Sequence, residues 1–159
     1  MLKFQESEIK KWANKYDYPR EELKLLNLKE EIQQTGFLNI DHLNMIAQWK
    51  SPRSAGHINK NDDKFVEEVT AFSFAANEEL SRIESLTLLD GIGYPSASVV
   101  LHIFQRDPYP IIDFRALWSV GMEVPSQYSF DFWWKYVCCC RILSDANSVD
   151  MRTLDKALW

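Results

Sequence analysis

Two features of this sequence combine residue types and spacing that suit chemistry. The first is Gly91-Ile92-Gly93, two glycines around one apolar residue, preceded by Leu89 and followed by Ser96-Ala97. Glycine lets a backbone take positive φ and approach another molecule closely. Amides of such a turn, at the N-terminus of the next helix, can hold a phosphate without any lysine. The second is Asp113, which closes Pro110-Ile111-Ile112-Asp113 twenty-two residues after Gly91. A carboxylate beside a carbon that becomes positive stabilises that charge and can orient attacking water. Each feature also has a plainer reading. A two-glycine turn serves as a simple helix connection, and an Asp that begins a helix caps its free amides.

The two features occur together in the stretch from Leu86 to Gly121, LTLLDGIGYPSASVVLHIFQRDPYPIIDFRALWSVG. This stretch resembles the signature of the helix-hairpin-helix DNA glycosylases, in which an L-x-G-h-G-x-x-[ST]-A hairpin precedes a P-h-h-D element carrying the catalytic aspartate. The separation is similar to that of the endonuclease III-like and adenine-mismatch branches. The resemblance covers about 36 residues and is architectural elsewhere. It implies a compact, glycosylase-like helical domain over 1–159 with the hairpin at about 80–105. It further implies that Leu89, Gly91, Ile92, Gly93 and Ser96 meet DNA and that Asp113 is catalytic.

The implied activity is hydrolysis of the N-glycosidic bond of a modified, damaged or mispaired base flipped from double-stranded DNA. Members that also cut the DNA backbone carry a hairpin lysine whose amine forms a Schiff base with the sugar. The aligned position here is Pro95, and no lysine lies between Lys64 and Lys135. A monofunctional enzyme that leaves an abasic site is therefore expected. The resemblance requires no catalytic metal or redox cofactor, although hairpins of this family often hold a structural monovalent cation through backbone carbonyls. The expected form is a monomer.

Further candidates lie outside the signature. Trp49, Lys50, Ser51 and Arg53 put an aromatic ring, two cations and a hydroxyl at a helix end, where they could meet a flipped base or a phosphate. His57, Lys60 and Asn61 in the following connection could extend the same contact surface. Arg115 is a candidate for pairing with a carboxylate or with DNA, and Trp118 for lining a base pocket, although a core position suits Trp118 better. His102 reads as a partly buried helix residue. The aromatic run Tyr128, Phe130, Phe132, Trp133, Trp134 and Tyr136 is expected to pack between helices.

Helical patterns position all of these residues. A first helix is predicted over 5–16, stopped before Tyr18-Pro19 because the residue preceding proline avoids helical torsions. A second starts at Pro19 and runs to about Thr35, ending at Gly36. Asn39 is predicted to cap a third, with Leu43, Ile46 and Ala47 on one face. Asn61 and Asn77 are predicted to cap helices over about 62–75 and 78–87, with the apolar period before the turn ending at Leu89. Ala97, Val100, Leu101 and Phe104 form one apolar stripe after the turn. Further helices are expected at about 113–121, 127–144 and 150–158, the last capped by Asp150. No period of two appears, so the class is all-α.

Composition bounds the function. With 46% hydrophobic and 13% aromatic residues, the 159-residue chain has material for a substantial core, which excludes a disordered chain. No apolar run approaches the length of a membrane span, and the N-terminus turns polar too early for a secretory segment. A cytoplasmic, nucleoid-associated protein without membrane contact is expected. Cys138, Cys139 and Cys140 are consecutive and fan around a helix, so they are read as reduced structural thiols and not as ligands of one ion. The net charge of −5 opposes a simple electrostatic DNA binder. Locally the balance differs: residues 49–66 hold four basic against two acidic side chains. Two other functions fit these facts, a non-catalytic helix-hairpin-helix module that binds DNA structures and a helical protein-interaction domain.

Overall fold

The computed structural model describes residues 2–53 and 55–159, and among them the regular structure is entirely helical. The α-helices are α1 Ile9–Ala13, α2 Arg20–Asn27, α3 Lys29–Thr35, α4 Ile40–Lys50, α5 Ala55–Ile58, α6 Asp63–Ala75, α7 Glu79–Leu86, α8 Tyr94–Phe104, α9 Phe114–Ser119, α10 Phe130–Ala146 and α11 Met151–Leu158. No helix of the described residues is long and apolar enough to cross a membrane. Backbone contacts cluster into two units. One contains the chain up to Asp17 together with Asp107–Trp159, and the other spans Tyr18–Arg106.

In the Tyr18–Arg106 unit, α8 packs against α3, α4 and α7. The predicted stripe Ala97, Val100, Leu101 and Phe104 is buried, and so are Ser98, Val99 and Ile103 on its other sides. The helix is thus enclosed nearly all round, which a single apolar stripe does not foretell. Leu25, Ile32, Leu43, Ile46, Ile58, Val66, Ile83 and Leu86 complete the core. Gly36 ends α3 at φ +81, the left-handed conformation that a glycine allows at a helix C-terminus. Asn39 caps α4 by accepting from the His42 amide at 3.0 Å.

Several boundaries differ from the sequence expectation. The predicted 19–35 helix divides at Leu28, where the Leu28 amide bonds back to Leu25 in a tighter turn. The first helix opens with a 3-10 turn at Glu6–Glu8 and stops at Ala13, before Asn14, a weak helix former. Asp62 caps α6, and the Asn61 side chain is used elsewhere. Glu78, not Asn77, precedes α7 and makes no side-chain cap bond. The four-residue α5 has no signature of its own in the sequence.

In the other unit, α11 packs on α1, α9 and α10. Trp133 and Tyr136 are fully buried, and Trp133 stacks on Tyr109 with centroids 6.0 Å apart. This is the packing role expected of the aromatic run. Asp150 caps α11 as predicted, accepting from the Thr153 amide at 2.8 Å. No disulfide joins the cysteines: Cys140 is buried, while Cys138 and Cys139 are half-buried.

Burial pushes the pKa of both Tyr136 and Cys140 upward, because each loses water around its charged form. A raised folded-state pKa means that the folded chain holds the proton more tightly than the unfolded chain. The associated stability is complete below the unfolded values, near 9.0 for the thiol and 10.0 for the phenol, and is lost as pH rises beyond them. The urea midpoint should therefore fall between about pH 8 and pH 11. Cys140→Ala should flatten that fall, and an unchanged pH profile in this variant would contradict the assignment.

Candidate functional site

The two-glycine turn lies in the Tyr18–Arg106 unit. Helix α7 stops at Leu86, three residues earlier than its apolar period implies, because the Thr87 and Leu88 amides bond back by three residues and tighten the chain into a turn. Leu89 and Ile92 are buried and anchor the turn from within, Ser96 is buried in the first turn of α8, and Leu88 is exposed. Leu89, Ile92 and Ser96 therefore offer a ligand at most their backbone. Gly91 takes φ +84. Gly93 precedes α8 in extended backbone at φ −108, with Pro95 next in the first helical turn. Among the described residues, the Gly91 and Gly93 amides have no hydrogen-bond partner.

The turn is held by a residue whose role the sequence did not reveal. Asn61 Oδ1 accepts from the Asp90 amide at 2.8 Å, and Asn61 Nδ2 donates to the Asp90 carbonyl at 3.0 Å. The same Nδ2 donates to the Ile58 carbonyl at 2.7 Å. This pincer ties the connection that carries Lys60 to the glycine turn. The Tyr94 hydroxyl donates to the Glu84 carboxylate and joins α8 to α7 across the turn. Lys60, His57 and Arg53 are exposed, whereas Trp49, Lys50 and Ser51 are half-buried at the end of α4. His102 is half-buried in α8, as predicted.

Asp113 belongs to the other unit. It is half-buried, and its Oδ1 accepts from the Arg115 and Ala116 amides at 3.0 and 2.9 Å, so it caps α9. The capping reading is therefore correct, and it leaves a partly accessible carboxylate at a helix N-terminus. Two residues earlier, Ile111 is clamped from both sides. Its amide donates to Asp155 Oδ1 at 2.8 Å, and its carbonyl accepts from the Tyr136 hydroxyl at 3.1 Å. Tyr128 feels the same carboxylate: burial first, and the Asp113 charge second, raise its pKa above the usual phenol value. The aromatic run thus supplies Asp113 with a neighbour as well as a core.

Asp155 is the positioning residue of this segment. It is buried, and its second oxygen accepts from Arg152 Nη1 at 3.0 Å. Asp155→Ala leaves the Ile111 amide buried without an acceptor, which should destabilise the fold by about 1–3 kcal/mol. Asp155→Asn retains an acceptor oxygen and should recover most of the loss. Urea denaturation of the two variants checks this, and equal stability of Asp155→Ala and wild type would remove Asp155 from the positioning role.

Arg115 and Trp118 follow Asp113 on α9 but face an open cleft. The Arg115 guanidinium lies 4.3 Å from the Trp159 ring and 5.2 Å from Phe114. Trp118 is 64% exposed, so the core position preferred for it from the sequence is incorrect. It stands five residues, about 7.5 Å of helical rise, from Asp113. Among the described residues, no group of three His, Cys, Asp or Glu side chains could hold a metal ion. Comparisons with protein-family models, curated proteins and solved structures found no match.

Proposed function

We propose that this chain is a monofunctional DNA glycosylase of helix-hairpin-helix type, with the Gly91-Ile92-Gly93 turn gripping a DNA strand and Asp113 as the catalytic carboxylate. The observation that carries this reading is the pairing of two elements in one chain. A glycine turn with unpartnered amides is followed, twenty-two residues after Gly91, by a partly accessible carboxylate held by its own helix and by the Ile111 clamp. Gly93 adds support. Its backbone conformation suits any residue, and an added Cβ would meet only Pro95 Cδ at an ordinary 3.8 Å. Among the described residues nothing requires glycine there, whereas a phosphate approaching the amide would.

In the proposed reaction the bond between C1′ and the base nitrogen breaks and its electron pair leaves with the base. Water adds its oxygen to C1′, and the proton it gives up is balanced by protonation of the departing base nitrogen from solvent. Asp113 stabilises the positive charge on the sugar and orients the water. Without a lysine in the turn or in α8, no Schiff base forms and the product is an abasic site.

The test is a panel of duplexes, each with one altered or mispaired base, assayed for strand breaks after alkali. Breaks that require alkali and vanish in Asp113→Asn support the proposal. Breaks without alkali contradict the monofunctional assignment. Duplex binding without base release from any substrate would favour the non-catalytic DNA-binding module.

A further inference from the structure

The unit containing both chain ends carries an open cleft of about 950 Å³. Its walls include Phe4, Trp12, Phe114, Trp118 and Trp159, and Asp113 is not among its lining residues. Large aromatic side chains usually bury most of their surface. Here Phe114, Trp118 and Trp159 are each more than half exposed, and Trp12 is 37% exposed. The cleft is also fixed by hydrogen bonds. The Lys3 amide donates to the Ser119 carbonyl at 2.8 Å, and the Ser119 hydroxyl donates to the Leu158 carbonyl at 2.7 Å. These bonds fasten the N-terminal segment, the end of α9 and the end of α11 to one another. Tyr16 meets Trp159 edge-on at 5.3 Å.

Charge narrows the choice of occupant. Lys3 lies 5.8 Å from the Trp118 ring, Lys15 and Lys11 lie 4.3 and 5.4 Å from Trp12, and Arg115 covers Trp159. Glu123 is the acidic residue in the wall, and Glu8 pairs with Lys11. Cations already placed over the rings repel a cationic ligand, so the cleft is not an ammonium cage. A purely apolar occupant would bring nothing to offset these charges. Exposed rings interleaved with cations suit a ligand with flat faces joined by anionic links. Duplex DNA hides its base faces in the stack, whereas unpaired nucleotides present them.

We infer that this cleft binds unpaired nucleotides of single-stranded DNA, stacked on Trp118 and Trp12 with their phosphates toward Lys3, Lys15 and Arg115. The choice of DNA rests on the proposed glycosylase reading; the choice of an unpaired polynucleotide rests on the cleft alone. A fluorescein-labelled oligothymidylate of twelve nucleotides, titrated at low salt and followed by anisotropy, tests it. Wild type should bind, and Trp118→Ala should weaken binding roughly 5- to 150-fold, the range for loss of one base-stacking ring. Lys15→Gln should reduce the slope of log affinity against log salt by about 0.7, the value for one phosphate contact on a single strand. Trp118 is largely exposed, so its variant should keep the wild-type circular dichroism spectrum.

No binding by wild type, or equal binding by Trp118→Ala, would overturn the assignment. Tighter binding of the matching oligouridylate would overturn the choice of DNA. A dimer detected by sedimentation and lost in Trp118→Ala would assign the cleft to a second copy of the chain. The assay separates this inference from the hydrolase reading. Trp118-dependent binding without base release leaves the cleft assignment standing, and base release without oligothymidylate binding does the reverse.

Discussion

Asp113→Asn should reduce base release by roughly 100- to 1,000-fold, the effect of removing one electrostatic contact to a developing charge, while leaving the thermal unfolding curve nearly unchanged. The two effects separate because the proposal adds a second role to the cap. As a cap it contributes an oxygen to the Arg115 and Ala116 amides, and asparagine supplies an equivalent oxygen with nearly equal capping strength. As the proposed catalytic group it would contribute negative charge, which asparagine lacks. Asp113→Ala removes both, and should additionally destabilise the fold by about 1 kcal/mol, within the usual range for a lost cap. Single-turnover release of the base, measured beside melting curves for both variants, checks the prediction. Full activity in Asp113→Asn would reduce Asp113 to a cap and remove the basis of the hydrolase proposal.

The second large effect concerns the two glycines, which should respond oppositely to alanine. Gly91 sits at φ +84, where an added Cβ crowds the backbone, so Gly91→Ala should destabilise the protein by about 1–2 kcal/mol. Gly93 has neither positive φ nor a close internal neighbour. Gly93→Ala should therefore leave stability within about 1 kcal/mol of wild type, with a tendency to increase as the unfolded chain loses freedom. Its effect should appear in binding. On the proposed reading, a methyl group on the exposed Gly93 would displace a phosphate oxygen and remove a charge-assisted hydrogen bond, weakening duplex binding by about 10- to 100-fold. Denaturation and duplex titration of both variants are sufficient. Unchanged duplex affinity in a stable Gly93→Ala protein would return the turn to a plain helix connection.

These effects trace to features of different legibility. The all-helical class, the left-handed glycine at Gly36, and the caps at Asn39, Asp113 and Asp150 were readable because each depends on residues within four positions along the chain. The glycine turn and Asp113 were each legible as short local patterns, and only the resemblance to a known signature linked them across twenty-two residues. Errors arose where local signals were equivalent. Asn61 next to Asp62 offers two adjacent capping side chains, and only the contact with Asp90, 29 residues away, decides that Asn61 holds the turn. Trp118 has the composition of a core residue, but no packed neighbour covers most of its ring.

From the amino-acid order alone came most of the helices, several of their stops and the two short elements proposed to act on DNA, since torsional preference, capping and apolar period are local properties. Tertiary structure alone decided that α8 is enclosed on almost every side, that Asp155 grips Ile111 from 44 residues away, and that rings and cations from three separate segments line one cleft. Such contacts join residues far apart in the chain, and their partners are selected by the packing of whole helices, which no short window of sequence contains.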